Sequence, residues 1–191
     1  MLNRRNFLSG ATALFAFSGL PISEALAAKK KKKFKVNPKY APQSVRYKSR
    51  YKRGTIVVDA KTRFLYLIES RTKARRYGVG VGKQALAWSG TAKIKRKAKW
   101  PSWTPTQNMI RREPEKYAKY AGGVPGGPNN PLGARALYLY KGNRDTYYRI
   151  HGTTAPWTIG TASSNGCIRM INEHVTDLYE RVPIGASVVV L

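Results

Sequence analysis

The sequence is poor in cysteine, in acidic residues and in long apolar runs. Cys167 is the one cysteine among 191 residues. This excludes an intramolecular disulfide and leaves an inert buried thiol, an intermolecular bridge or a free reactive thiol. Its neighbours Ser164, Asn165 and Gly166 are small or polar, whereas a buried core thiol normally has apolar neighbours. The local sequence therefore argues against an inert core residue.

No apolar run is long enough to cross a bilayer without interruption, which takes about 20 residues. Residues 1–27 instead have a charged start, an apolar stretch and small residues, the order of a secretory signal. Arg4 and Arg5 precede Asn-Phe-Leu, which resembles a twin-arginine export motif, and an Ala-x-Ala pattern ends at Ala27. An uncleaved anchor is the alternative, but glycines and a proline interrupt its apolar run. We expect cleavage near Ala27 and a periplasmic mature protein that begins at Ala28.

The scarcity of acidic residues gives the chain a net charge of +27, or +26 once residues 1–27 are removed. Twelve Lys or Arg and no acidic residue fall in residues 28–53, here called the basic arm. Such a segment is typical of a largely flexible tail. Nucleic acid is the first partner that this charge suggests, but export argues against it. We expect the arm to bind an anionic envelope surface, with a solubilising tail as the alternative; Tyr40, Tyr47 and Tyr51 could pack on the domain.

The remaining residues, 54–191, are enough for one domain, and most of it reads as strands. The clearest are a hairpin of residues 56–58 and 64–68, segments at 134–141 and 146–152, and a closing strand at 187–191; weaker ones are 77–81 and 91–100. One clear helix starts with Asn172 as its expected N-cap and ends before Pro183. The pattern predicts a mainly β domain, a sandwich or barrel with one or two short helices.

Residues 100–133, here called the flap, carry many prolines and glycines around one short helical piece near Arg112 to Tyr120. Loops of this length in a compact domain are usually functional or disordered. The aromatic residues Trp100, Trp103 and Tyr117 favour an ordered flap. The two tryptophans are interpreted first as packing residues and second as the wall of a substrate groove.

A catalytic cysteine needs a base, because the thiolate and not the thiol attacks carbonyls. The chain has two histidines, His151 and His174. His151 stands where the predicted strand at 146–152 ends and a loop begins, so that the returning chain could bring its imidazole to the sulfur of Cys167. His174 lies on the predicted helix and is most simply a surface residue. We therefore expect His151 to be the base.

Three segments together resemble the L,D-transpeptidase catalytic domain: Ile-His-Gly-Thr at 150–153, Ser-Ser-Asn-Gly-Cys-Ile-Arg-Met at 163–170, and residues 178–190. The family signature is a histidine followed some fifteen residues later by Ser-His/Arg-Gly-Cys-Ile/Val-Arg. The resemblance covers residues 54–191. Asn165 departs from it by replacing the usual His or Arg. Residues 88–90 stand where many relatives have a Thr-Pro-x-Gly turn, a variation associated with exported proteobacterial members.

The resemblance implies a role for each residue of the motif. Cys167 is the nucleophile and His151 the base, oriented by the backbone carbonyl of Gly152 in place of a carboxylate. Backbone N–H groups of Gly166 and Cys167 are candidates for the oxyanion hole. Asn165 and Ser164 belong to the substrate side of the site. Arg169 lowers the pKa of the thiol or binds a substrate carboxylate, the alternative being a salt bridge to Asp177.

The resemblance also implies the reaction of a cysteine acyltransferase that needs no metal or cofactor. Cys167 attacks the diaminopimelate carbonyl of a peptidoglycan tetrapeptide stem and releases D-alanine. An amine of another stem or of an outer-membrane protein or lipoprotein then takes the acyl group. Water as acceptor would make the enzyme an L,D-carboxypeptidase. Two other classes stay open: a non-catalytic peptidoglycan-binding envelope protein and a secreted cysteine peptidase.

Overall fold

The computed structural model describes residues 35–83 and 88–191. The predicted signal sequence, its cleavage near Ala27 and the first residues of the basic arm lie outside these ranges. Within them, no helix is both long enough and apolar enough to cross a membrane.

The described residues form a mainly β domain, which confirms the predicted fold class. The strands are β1 Gln43–Arg46, β2 Ile56–Asp59, β3 Phe64–Ile68, β4 Lys73–Gly78, β5 Val81–Gly82, β6 Gly90–Lys99, β7 Arg135–Lys141, β8 Arg144–His151, β9 Ala162–Ser164, β10 Ile168–Arg169 and β11 Ser187–Val190. Nine of them form one sheet in the order β1-β4-β3-β2-β11-β6-β7-β8-β10, and β5 pairs with β9. The C-terminal strand β11 lies in the middle of the large sheet, between β2 and β6.

The helices are short. They are α1 Gln107–Arg112, α2 Pro114–Tyr117 and α3 Asn172–Arg181, with 3-10 turns at Pro38–Tyr40, Ala118–Tyr120 and Pro156–Thr158. The predicted helical piece of the flap corresponds to α2 and the turn after it, whereas α1 was not predicted. α1 starts after Thr106, whose hydroxyl accepts a hydrogen bond from the Met109 amide at 3.2 Å. Such a cap satisfies one of the free N–H groups at the helix start.

The main core lies where α3 packs against β7 and β8 of the sheet. Val175 and Leu178 of α3 are fully buried, as their helical spacing predicts, and Tyr179 is partly buried beside them. Burial of each such aliphatic side chain contributes about 1.5–3 kcal/mol. Their partners in the sheet include Ile94, Leu137, Leu139, Ile150 and Val188. This packing holds β8, the strand that ends at His151, in a fixed position.

Part of the basic arm belongs to the sheet. β1 pairs antiparallel with β4. The Tyr47 ring lies 4.6 Å from the Tyr66 ring, and Tyr47 and Tyr51 pack on a small buried cluster that contains Val57 and Ile68. This apolar contact and the strand pairing offset the entropy cost of ordering the segment. The domain therefore extends upstream of residue 54, the boundary expected from the charge pattern.

A buried polar cluster joins β4 to α3. The Tyr77 side chain is fully buried, and its hydroxyl donates to Oδ2 of Asp177 at 2.7 Å. Arg75 Nε donates to the same oxygen at 2.8 Å, and Arg181 Nε donates to Oδ1 at 2.9 Å. Burial raises the pKa of Tyr77, and its hydrogen bond to Asp177 raises it further. The tyrosine therefore stays neutral and serves as a donor.

We expect Tyr77→Phe to lower the free energy of unfolding by about 1–2 kcal/mol, because Asp177 loses a short hydrogen bond while the ring packing is kept. Urea denaturation measures the change. Tyr140→Phe is the control, since Tyr140 is partly buried on β7 and its hydroxyl makes no hydrogen bond within the described residues. Equal losses in the two variants would contradict the assignment.

Candidate active site

The lone cysteine lies in a tight loop between β9 and β10. Gly166 has φ 115°, a conformation that favours glycine. The Ser164 hydroxyl accepts from the Gly166 amide at 3.1 Å and donates to the Cys167 carbonyl at 2.6 Å. Ser164 therefore holds the loop closed from inside. These bonds occupy the Gly166 amide, whereas the Cys167 amide makes no hydrogen bond within the described residues.

The loop reaches the histidine because β10 pairs in parallel with β8. Arg169 lies opposite His151 in this pairing, and Ile168 lies opposite Ile150. Cys167 directly precedes β10, so its side chain starts one residue beyond the paired segment. Cys167 and His151 line the same cavity. The predicted base and nucleophile are thus brought together, and His174, on α3, does not line this cavity.

The imidazole of His151 is buried and fixed by a backbone group. Its Nδ1 lies 2.6 Å from the carbonyl oxygen of Gly152. A carbonyl can only accept, so Nδ1 carries the proton and Nε2 is left with a free lone pair. Burial lowers the pKa of His151 to about 4, with the charges of Arg169 and Arg149 acting in the same direction. The imidazole is therefore neutral at neutral pH and able to accept a proton.

The segment after His151 is held by Asn172. Its Oδ1 accepts from the amides of Ala134 and Thr153, both at 3.1 Å. A Cβ on Gly152 would lie 2.2 Å from this oxygen, and a Cβ on Gly133 would lie equally close. Glycine is therefore required at both positions for the two segments to come this close to the Asn172 side chain. Asn172 was predicted to be the N-cap of α3, but Ile171 occupies that position and Asn172 makes no capping bond.

The cavity around these residues has a volume of about 1150 Å³. The β8 side supplies Tyr147, Tyr148 and Arg149, and the opposite side is the flap. Trp88, in the stretch that departs from the family turn, stacks on Tyr148 at 5.5 Å. The size is that of a site for a peptide-sized ligand.

The flap is built around an aromatic cluster. The Trp103 ring lies 6.3 Å from that of Tyr117 and 5.9 Å from that of Tyr120, in both cases edge-on. Backbone bonds between Trp103 and Val124 and two side-chain bonds from Asn130 fold the rest of it. Trp103 therefore both packs in the flap and lines the cavity. Trp100 is 47% exposed and is not a core residue.

Asn165 connects the cysteine loop with the flap. Its Nδ2 donates to the Tyr117 hydroxyl at 2.7 Å. The residue that replaces the usual His or Arg of the motif therefore contacts α2 of the flap. It is one direct side-chain link between the loop that carries Cys167 and the opposite wall of the cavity.

Several charges face the sulfur of Cys167, which is partly buried. Burial raises the pKa of the thiol, while the backbone amide and guanidinium of Arg149, and Arg169, lower it. The predicted alternative for Arg169, a salt bridge to Asp177, is wrong, since Asp177 pairs with Arg75 and Arg181. Arg169 instead lines the cavity, where it forms no salt bridge with any described residue.

A model of the L,D-transpeptidase catalytic domain family, YkuD, matches residues 53–190. The chain belongs to this family. Two curated Escherichia coli relatives are named as members of the same family. The probable L,D-transpeptidase ErfK/SrfK is 31% identical over 78% of this chain and 47% of its own length, and YbiS, also named a probable L,D-transpeptidase, is 34% identical over 71% and 43%. The chain spans about half the length of the curated relatives it matches.

Solved structures support the same fold. A Brucella melitensis protein is 58% identical over 82% of this chain and 96% of its own, with a TM-score of 0.56. That protein is named a probable carnitine operon oxidoreductase, whereas the family and the two curated relatives are transpeptidases. An L,D-transpeptidase from Mycobacterium smegmatis has a TM-score of 0.53 at 16% identity over 73% of this chain and 58% of its own.

Some residues of this transpeptidase domain were not singled out from the sequence. Tyr147 and Arg149 stand in the sequence only as part of a predicted strand, and Asp145 precedes that strand without any signal of a role. Tyr117 was noted as a packing aromatic, with no sign that it contacts Asn165. Each of these contacts depends on how strands and flap meet in space, and no local motif signals it.

We expect Asn172→Ala to lower the free energy of unfolding by about 1–3 kcal/mol, because two backbone amides lose their acceptor. The segment after His151 loses its support, so activity should fall with stability. Urea denaturation measures the first effect. Asn143→Ala is the control, since Asn143 is an exposed turn residue whose side chain, among the described residues, hydrogen-bonds to Lys95 alone. A loss no larger than in the control would contradict the role of Asn172.

Proposed function

We propose that this family member is a peptidoglycan L,D-transpeptidase with Cys167 as nucleophile and His151 as base. The observation that carries the proposal is the imidazole of His151, fixed by the Gly152 carbonyl in the cavity that Cys167 also lines. A neutral imidazole with its Nε2 lone pair free is the form that a general base requires. The names of the curated relatives support the same reaction class.

In the first step His151 Nε2 takes the proton of the thiol as the sulfur attacks the diaminopimelate carbonyl of a tetrapeptide stem. The carbonyl oxygen becomes an oxyanion, for which the Cys167 amide is the available donor, because the Gly166 amide is engaged by Ser164. Loss of one such donor typically costs about 3–4 kcal/mol of barrier height. Collapse of the tetrahedral species breaks the bond to D-alanine, whose amine leaves with the proton held by His151.

In the second step an amine attacks the thioester and restores the thiol. The amine belongs to the diaminopimelate of a second stem or to an outer-membrane protein or lipoprotein. Water in its place gives the L,D-carboxypeptidase outcome. The imidazole, neutral again once the D-alanine amine has left with its proton, accepts the proton of the incoming amine and passes it to the departing sulfur.

The charge of the cavity suits the stem peptide, which carries several carboxylates. Arg169 lies beside the nucleophile, and Arg112, Lys116 and Lys119 of the flap line the opposite wall. Opposite charges of this kind raise the association rate and fix the orientation of a ligand. Arg169 is therefore the residue we assign to a substrate carboxylate near the scissile bond.

The expected location is the bacterial periplasm, with the basic arm directed to an anionic envelope surface. Every Lys and Arg in residues 35–53 is exposed. Each basic residue near an anionic bilayer contributes up to about 1 kcal/mol. The tyrosines of the arm face the domain, whereas the Lys and Arg side chains of residues 35–53 point to the surface, where an anionic partner could bind them.

We expect the mature protein, under reducing conditions, to release D-alanine from a tetrapeptide muropeptide and to form an acyl adduct on Cys167, detected by mass spectrometry. Cys167→Ala should abolish both. His151→Gln should slow turnover by about 10²–10⁴-fold, the usual contribution of a general base. His174→Ala is the matched control and should keep nearly full turnover, because His174 does not line the cavity.

The outcomes separate the competing classes. If no D-alanine is released and no adduct forms, the protein is a non-catalytic envelope-binding protein. Cleavage of ordinary L-peptides would instead indicate a cysteine peptidase. A second tetrapeptide stem, an outer-membrane protein and water give products of different mass. Comparison of peptidoglycan from cells with and without the protein then identifies the acceptor, by lost cross-links or by lost attached protein.

A further inference from the structure

Strand β8 has a bulge beside the nucleophile. Tyr138 of β7 lies opposite Arg149, but Tyr140 lies opposite Asp145, so three residues of β8 face one residue of β7. In the middle of the bulge Tyr147 has φ 61° and a side chain 70% exposed. A tyrosine in the left-handed region costs of order 1 kcal/mol or more, and such outliers persist only where their surroundings hold them.

An ion pair spans this bulge, which is also tied to β7 by the Thr146 hydroxyl, donating to the Leu139 carbonyl at 2.6 Å. Arg149 donates from Nη1 and Nη2 to the two carboxylate oxygens of Asp145, at 2.7 and 2.8 Å. Oδ1 of Asp145 also accepts from the Tyr147 amide at 2.8 Å. The Arg149 side chain is only 12% exposed, and its guanidinium lies 4.3 Å from the centre of the Tyr138 ring. Paired forks of this kind fix geometry as well as charge.

The bulge forms the wall against which the sulfur rests. The Sγ of Cys167 lies 3.8 Å from the carbonyl oxygen of Tyr147. Tyr147 and Arg149 both line the cavity together with Cys167. A change in the path of the bulge therefore moves the carbonyl and the guanidinium relative to the sulfur.

We propose that Asp145 and Arg149 are positioning residues for the nucleophile. Their ion pair closes the bulge of β8 and so fixes the Cys167 sulfur against the Tyr147 carbonyl and within range of the Arg149 charge. This rests on the proposed function only in taking Cys167 as the nucleophile.

The charged and titratable groups around the sulfur come from β8, β10 and the flap. They are Asp145, Tyr147, Tyr148, Arg149 and His151 of β8, Arg169 of β10, and Arg112, Lys116, Tyr117 and Lys119 of the flap. Arg149 and Arg169 lower the pKa of the thiol and the Asp145 charge raises it. Simple removal of the Asp145 charge would therefore make the thiol more acidic. Loss of the held guanidinium would make it less acidic, so the two effects have opposite signs.

The test is the rate at which iodoacetamide alkylates the full mature chain, measured from pH 6 to pH 10. Cys167 is the one cysteine, so every alkylation event reports on it. Arg149→Met should raise the apparent pKa by about one unit and slow alkylation at pH 7 about tenfold, because the thiolate is the reactive form. Arg149→Lys, which keeps the charge but not the fork, should fall between Arg149→Met and the parent protein.

Asp145→Asn should also slow alkylation, by about threefold, because the guanidinium loses its anchor. Arg144→Met is the matched control, since Arg144 starts the same strand, is exposed and does not line the cavity. Its alkylation profile should match that of the parent protein. Thermal unfolding of each variant separates stability from reactivity.

Two results would overturn the proposal. In one, Asp145→Asn speeds alkylation, as removal of a negative charge alone would do. In the other, the Arg149 variants lose stability but keep the parent alkylation profile, which is the signature of a purely structural pair. If Arg149→Met does not fold, Arg149→Lys and Asp145→Asn decide the question. Alkylation needs no peptidoglycan substrate, so a failure of the transpeptidase assay leaves this test intact.

Discussion

The parallel pairing of β10 with β8 is the contact on which the candidate site depends. It is only two residues long, yet it sets Arg169 opposite His151 and brings Cys167 to the same cavity. Because the pairing is so short, the strand β8 and the loop before β10 must each be fixed by other contacts. The core beneath α3 fixes β8, and the hydrogen bonds of Ser164 fix the loop before β10. The geometry of the thiol and the imidazole is therefore a property of the sheet and not of a mobile loop.

The site combines a half built on the sheet with a half built from the flap. Sheet strands and Asn172 hold His151 and the segment after it. The flap has its own aromatic cluster, and the bond from Asn165 to Tyr117 joins it to the cysteine loop. At this position a cationic or aromatic side chain is usual in the family. A neutral amide there keeps a hydrogen bond across the cavity without adding a further positive charge beside the thiol.

Local features were predictable from the sequence. The β2–β3 hairpin follows from alternating apolar residues around a polar turn, and the buried face of α3 follows from the spacing of Val175 and Leu178. His151 and Cys167 were singled out because each stands in a short contiguous segment that resembles the family motif, and their catalytic roles stay predictions. These features depend on neighbours in sequence, which is the information that a single chain carries most clearly.

The features that could not be predicted depend on approaches between distant segments. In the sequence, Asn172 has the position and residue type of a helix cap. In the structure its side chain instead joins the segments that contain Gly133 and Gly152, and this contact exists only because both glycines come close to it. β1 was hidden because the lysines and arginines of the basic arm around it dominate the pattern, although Tyr47 and Tyr51, which follow it, pack on the domain. The bulge of β8 contains no glycine or proline that would mark it. It is held by contacts that only the folded chain makes: the Asp145–Arg149 ion pair across it and the hydrogen bond from the Thr146 hydroxyl to the Leu139 carbonyl of the strand beside it.

The burial of the thiol and imidazole has a consequence for chemical durability. Burial lowers the pKa of His151 and raises the pKa of Cys167, so at neutral pH the resting pair is a neutral imidazole beside a protonated thiol. Oxidants attack the thiolate far faster than the thiol. In the proposed periplasmic location, the thiol of Cys167 would therefore resist oxidation, because it stays protonated until a substrate carbonyl is present for the sulfur to attack.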